Sequence, residues 1–405
     1  MNMSIYFSIT RLRVWLGVAL AFAAALGACG GGVETGGTGA TGVYVQGPVT
    51  GFGSIIVAGI RFDESNARIE DADGSTRSRD ELRLGMVVEV ESGALASDGS
   101  GGRVGTATRV RLGAQLLGPV THIDLAEARI SVLGQTVRLT LATVLDGVVG
   151  GAASLRLGDI LEVHGFFDVD AATANYVATR VERRSVMPPA FRVRGIAREI
   201  DSVAKTLRIG SQVFDLSASG LPAGLADGSF VRLTVQTAQV NARWPVITAA
   251  VESRRLEDRS EAEVEGLITS FNSNTSFAVN GVTVDASAAV VSPSNAVLAR
   301  GVRVKVEGRA SGGVLIAARV ELRSDDDTYI EGVDLRDVIA NLDRAGKTFT
   351  LRGVTVSYGT QTQYDAPASE AGLANGVCAR ARAVLDPTRT RLLATRITFV
   401  DDCAR

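Results

Sequence analysis

At 405 residues the chain is too long for one ordinary hydrophobic core, and at 46% apolar it is no disordered polymer. Its net charge of −2 gives no electrostatic case for nucleic acid or an anionic membrane surface as partner. Gly is abundant at 45 residues and Pro scarce at 9, a balance suited to many tight turns between short strands.

The N-terminus carries a targeting pattern. Arg11 and Arg13 precede an uninterrupted apolar run, Val14–Leu26, too short to span a bilayer and ending in small residues, as secretory signals do. The stretch Leu26-Gly27-Ala28-Cys29 resembles the lipobox of bacterial lipoproteins. That resemblance implies a signal peptide over residues 1–28 and lipidation of Cys29. The alternative is a plain secretory signal with an incidental Cys. Gly30 in place of the inner-membrane retention Asp points to an outer-membrane lipoprotein, facing the periplasm or the cell surface. Cleavage removes two Arg and no acid, moving the net charge from −2 to −4 and leaving Trp244 as the sole tryptophan. Residues 29–44 then read as a Gly/Thr-rich flexible tether.

Five repeats follow. Each opens with a Gly in an apolar strand (Gly47, Gly118, Gly195, Gly266, Gly332), followed by a hairpin with a second Gly (Gly59, Gly134, Gly210, Gly281, Gly353). In "FAVNGVTVD" the turn is Asn280-Gly281, the pair suited to type I′ geometry. Next comes a polar stretch with room for one helical turn; "SPSNAVLARG" offers an N-cap Ser, Pro at the first helical position and a closing Gly. Leu-x-x-Gly recurs at Leu82/Gly85, Leu155/Gly158, Leu225/Gly228, Leu298/Gly301 and Leu373/Gly376, each leading a strand with apolar odd offsets and mostly charged even ones. Each unit closes on Ala-Thr-Arg-Val or a variant: 107–110, 178–181, 317–320 and 394–397, with Ala250 in the Arg position of the third.

The pattern predicts an all-β chain of five small OB-like five-stranded barrels, antiparallel throughout, at 45–112, 117–184, 191–256, 262–324 and 329–405. An elongated sandwich is the competing architecture. These units behind a lipobox resemble bacterial lipoproteins carrying the domain of unknown function 5666, which implies a small barrel-like β module and no established activity or site residues.

Chemistry is sparse. Arg109, Arg180, Arg319 and Arg396 are either a row of anion-binding guanidinium groups or outward residues that keep their charge in water. Arg outnumbers Lys (Lys205, Lys305, Lys347) so heavily that the second reading is favoured. Cys378 and Cys403 form either a disulfide or two free thiols. His122 and His164 complete no metal site, and neither "EDADG" (Glu70–Gly74) nor "SDDD" (Ser324–Asp327) matches a calcium loop. No nucleophile elbow, zinc-protease, P-loop or dinucleotide motif occurs.

The sequence thus points to a non-enzymatic, lipid-anchored envelope protein without a cofactor, its barrels acting as spacer or multivalent interaction scaffold. The membrane, through its lipid, and an envelope protein or polysaccharide are the expected partners, not nucleic acid. The alternative is a binding protein for an envelope polysaccharide or small ligand, with Trp244 of the third repeat as either sugar contact or core residue.

Overall fold

A computed structural model describes residues 42–99, 101–167, 176–252, 256–323, 333–401 and 403. Cys29, the signal and tether segments, Gly332 and the acidic Ser324–Asp327 lie outside these residues.

Every repeat closes into a small barrel of one topology. Barrel 1 shows it. A long first strand, Val43–Phe52, pairs antiparallel with Ile55–Val57 through its second half and with the fourth strand, Val87–Ser92, through its first. The third strand is split into Ile60–Asp63 and Arg68–Asp71, and both pieces run parallel to the fifth, Arg103–Leu112. The fourth and fifth are antiparallel. Barrels 2 to 5, with strands over 116–183, 191–251, 259–323 and 333–399, repeat this order, including the parallel third-to-fifth joint. This is the five-stranded OB arrangement. The expected all-antiparallel pattern is amended because the connection from third to fourth strand crosses the barrel end. The fifth strand therefore closes onto the third in the same direction.

The Leu-x-x-Gly glycine is explained by its backbone. Its φ lies between 80° and 89° in all five barrels, a region open to Gly without Cβ strain. From there its N–H donates to a first-strand carbonyl: Val49, Val120, Ala197, Ile268 or Ile339. That bond identifies the first-strand glycine position two residues earlier, occupied by Gly47, Gly118, Gly195 and Gly266. In barrel 5 it is Asp337, paired with Ala379, not Gly332.

Ala-Thr-Arg-Val writes a β-bulge. In each barrel the seventh residue after the turn Gly pairs with the Ala position, and the sixth pairs with the Arg position two residues further on. Ser92 faces Ala107 and Glu91 faces Arg109; Ala383 faces Ala394 and Arg382 faces Arg396. The intervening Thr108, Thr179, Ala318 or Thr395 has no opposite number. One extra residue reverses the alternation, so Ala and Val three apart both point inward. Ala107 and Val110, Ala178 and Val181, Ala317 and Val320, and Ala394 and Ile397 are all buried. Strict alternation would have put Leu393, Thr395 and Ile397 on one face; instead Leu393 and Thr395 are exposed. In barrel 3 the bulge falls on Ile247, so Val246-Ile247-Thr248-Ala249 is the equivalent stretch and Thr248, not Ala250, holds the Arg position.

The helical turn before Leu-x-x-Gly is realised only as short 3-10 turns, Arg79–Glu81 and Ala152–Ser154. Ser78 caps the first through a capping box with Glu81. In barrel 4 the Ser292-Pro293 bond is cis and no helix forms, so that Pro is not at a first helical position.

The first strands also join barrels. Because each is bent and serves two sheets, each half keeps one edge unpaired, and such edges recruit further strands. Val43–Gln46 pairs parallel with Glu261–Val264 of barrel 4, and Gly51-Phe52 pairs parallel with Asp334-Leu335 of barrel 5. Leu116-Leu117 of barrel 2 pairs antiparallel with Arg192-Val193 of barrel 3. Barrels 1 and 5 share one core, barrels 2 and 3 another, and barrel 4 has its own. Two of these three joints link barrels distant in the chain.

Candidate functional site: charged panels on the barrel surface

Outward positions of the first, fourth and fifth strands form a panel of two three-residue rows on each barrel. In barrel 1 the rows are Gln46–Glu89–Arg111 and Tyr44–Glu91–Arg109. Barrel 3 has Arg194–Arg232–Ala250 and Arg192–Thr234–Thr248, three positive charges and no acid. Barrel 4 has Glu265–Lys305–Glu321 and Glu263–Glu307–Arg319, an acidic excess. Barrel 5 has Arg336–Arg380–Thr398 and Asp334–Arg382–Arg396, four Arg against one Asp.

These residues point out of their own barrels, yet many are not wet. The part of the barrel 4 panel that carries Glu263, Glu265 and Lys305 is buried against barrel 1. There Glu263, 1% exposed, takes Arg103 at 2.5 Å and Lys305 at 2.8 Å, while Lys305 also donates to the Ala58 carbonyl at 3.0 Å. Burial pushes the Glu263 carboxyl up, against the opposing pull of Lys305 and Arg103. Barrel 3's panel is closed by the "EDADG" loop of barrel 1: Asp73 receives Arg192 at 3.3 Å and pairs with Arg232. Arg232 and Arg194 also reach Glu252, at 3.0 and 3.3 Å. The loop itself is shaped by Asp71, which accepts from the Asp73 and Ser75 amides and from Arg77.

Arg180 corrects the expectation of an outward, solvated guanidinium. It is 2% exposed, pairs with Asp146 and Glu182, and donates to the Leu84 carbonyl of barrel 1 at 3.3 Å. Thr179 beside it donates to the Gly85 carbonyl at 2.6 Å. Arg109 pairs with Glu91 at 2.8 Å, Arg396 with Asp365 at 3.4 Å, and Arg319 is exposed. His164, opposite Arg180, is buried and hydrogen-bonds Glu162 at 3.1 Å. For Glu162 burial acts to raise the pKa, but the bond and charge of His164, with Arg184 and Arg180, hold it at about 2. His122 is exposed on another strand.

Between barrels 1, 3 and 4 lies a cleft of about 600 Å³ walled by this network, including Glu70, Glu89, Arg109, Arg194 and Arg259. Its side chains are largely committed to one another: Arg111 bridges Glu70 and Glu89, and Arg259 reaches Glu91 and Glu257. Among the described residues no group of three or more His, Cys, Asp or Glu is placed to hold a metal ion.

Trp244 is a core residue, which corrects its reading as a sugar contact. It is 6% exposed, meets the Phe191 ring edge-on at 5.8 Å, and donates from Nε1 to Gln212 at 3.0 Å. A covered indole face has no room for a pyranose ring. Cys378 and Cys403 are joined by a disulfide with Cα atoms 5.5 Å apart, inside the usual range.

A chain of five tandem OB-like barrels, each presenting one panel, is a modular β-repeat protein. The family model for a domain of unknown function (DUF5666) matches residues 118–182, 265–321 and 338–398. Those are barrels 2, 4 and 5, from about the first-strand glycine position to the fifth strand, so three of the five units match this domain. The fifth unit keeps the match, and the first and third lie outside it. No curated protein matches the chain. Among solved structures, a chain titled "drosophila Unr CSD456" is similar at 12% identity and a TM-score of 0.14, covering 54% of this chain and 99% of its own length.

Proposed function

We propose that this protein is a non-enzymatic, lipid-anchored envelope scaffold. The lipobox-like Leu26–Cys29 supports the anchor, with Cys29 as the lipidated residue and the outer membrane as its address. One observation carries the scaffold: outward side chains of barrels 2, 3 and 4, where an OB barrel has chemistry to spend, bind barrels to one another. A spacer built of stacked repeats needs each module to touch only its chain neighbours. Joints between barrels 1 and 4 and between 1 and 5 favour an interlocked platform over a spacer. The polysaccharide-binding alternative has lost Trp244 as its contact.

Metabolic labelling with a palmitate analogue tests the anchor. The native chain takes the label and fractionates with the envelope, and Cys29→Ala abolishes both. An unlabelled native chain overturns the anchor. For the scaffold, in-cell crosslinking followed by partner identification expects defined envelope proteins on the barrels, and uniform non-specific products contradict it.

A further inference from the structure

The panel of barrel 5 differs from those of barrels 3 and 4. Two like-charge pairs stand directly across its strands, Arg336 opposite Arg380 and Arg382 opposite Arg396. Like charges in that position repel and destabilise a sheet. Asp334 offsets part of this: it binds Arg380 through Nε at 2.8 Å and also takes Arg61 of barrel 1 at 3.3 Å. Arg396 has Asp365 at 3.4 Å and Gln363 at 2.9 Å. Arg382 is exposed and stands across from Asp334, whose carboxyl feels its charge, but among the described residues no hydrogen bond or ion pair within 4 Å holds its guanidinium. With Arg380 and Arg396 it lines a cleft of about 230 Å³, completed by Asp365, Thr398 and Val400, all from barrel 5.

Barrel 3 shows what fits such a surface. Arg232 and Arg380 occupy the same position, fourth after the turn Gly, and both panels carry an excess of three positive charges; barrel 5 has Asp334 where barrel 3 has Arg192, and Arg382 and Arg396 where barrel 3 has Thr234 and Thr248. In barrel 3 the occupant is a carboxylate on a protein loop, Asp73, held between Arg192 and Arg232. Guanidinium forks match carboxylates in geometry as well as charge. We propose that the panel of barrel 5, centred on Arg382 and Arg396, is a docking surface for an acidic loop of a partner protein. The proposal rests on the scaffold reading and names where an external partner attaches. A small cleft suits one carboxylate side chain entering between the guanidinium groups, with further acids on the sheet around it.

The test uses the mature chain and a fluorescent peptide copying residues 69–76, "IEDADGST", the loop that closes barrel 3. Anisotropy at low salt should show saturable binding, lost at about 0.5 M salt as exposed charge pairs are screened. Arg382→Glu with Arg396→Glu should weaken binding tenfold or more, while Arg309→Glu, an exposed Arg on barrel 4, should leave it unchanged. Arg382→Gln alone, relieving the repulsion, should not lower the melting temperature of the free protein. Equal binding by native and double-variant chains overturns the proposal. So does panel-dependent binding of polygalacturonate without peptide binding, which makes the face a glycan site. If the peptide fails while Cys29 labelling and the barrel-to-barrel contacts stand, this panel's role falls and the scaffold survives.

Discussion

Glu162 offers a sharp test because one of its partners, Arg180, also reaches the Leu84 carbonyl of barrel 1. Burial penalises its charge, and His164, Arg184 and Arg180 more than offset that, so the folded carboxyl titrates at about 2 against an ordinary 4.5. A depressed acid pKa stabilises the fold above the unfolded value, and that stabilisation is lost as pH falls toward the folded one. The window is therefore pH 4.5 down to about 2. The shift corresponds to roughly 3 kcal/mol, of which about 2 disappear between pH 5 and pH 3. Glu162→Gln removes the titrating group, so its urea-unfolding free energy should fall less than the native chain's between those two pH values, by that same amount. Identical pH slopes for the two proteins would refute the reasoning, as would an NMR titration placing the Glu162 carboxyl near 4.5.

Other expectations follow from single contacts. Glu64 is buried and accepts from the Ile55 amide at 3.0 Å, Arg79 at 2.7 Å and Arg352 of barrel 5 at 3.3 Å. Glu64→Ala strands those donors and should cost on the order of 3 kcal/mol in chemical denaturation. A Cβ at Gly308, which faces the bulge of barrel 4, would lie 2.0 Å from the Ile316 carbonyl oxygen. Gly308→Ala should therefore destabilise by about 2 kcal/mol or more, read as a lower melting temperature. The disulfide closes a separation of 25 residues. Cys403→Ser should cost roughly 3 kcal/mol in the unfolding of barrel 5, by chain-entropy reasoning. Trp244 emission in a chain lacking residues 1–28, where it is the sole tryptophan, should be blue-shifted and resistant to acrylamide; a solvent-exposed spectrum contradicts its burial.

Sequence reading reached the barrel order because turn geometry leaves residue-level marks. Gly85 and its four equivalents need a positive φ that few side chains tolerate, so they recur in the sequence at matching places. The bulge was written in the sequence too, as an Ala and a Val three apart rather than two. Strict period-2 alternation hid it and misplaced Leu393 and Thr395. Barrel 5's first strand was mis-anchored because Asp337 replaces the glycine there, leaving Gly332 as a decoy. The panels were seen only as outward charges. Whether such a charge meets water or another barrel depends on contacts like Arg103 with Glu263, separated by 160 positions, which no local pattern encodes. Trp244 was ambiguous for the same reason: its Phe191 neighbour lies on a different strand of the barrel.

The most direct test of the panels as barrel-to-barrel locks is a double-mutant cycle on Arg103 of barrel 1 and Glu263 of barrel 4. Arg103→Ala, Glu263→Gln and the combined variant are unfolded alongside the native chain. The locking account predicts a coupling of about 0.5–3 kcal/mol, the range for residues sharing one ion-pair network. Additive losses, agreeing within about 0.5 kcal/mol, would mean that the two barrels do not hold each other through this contact.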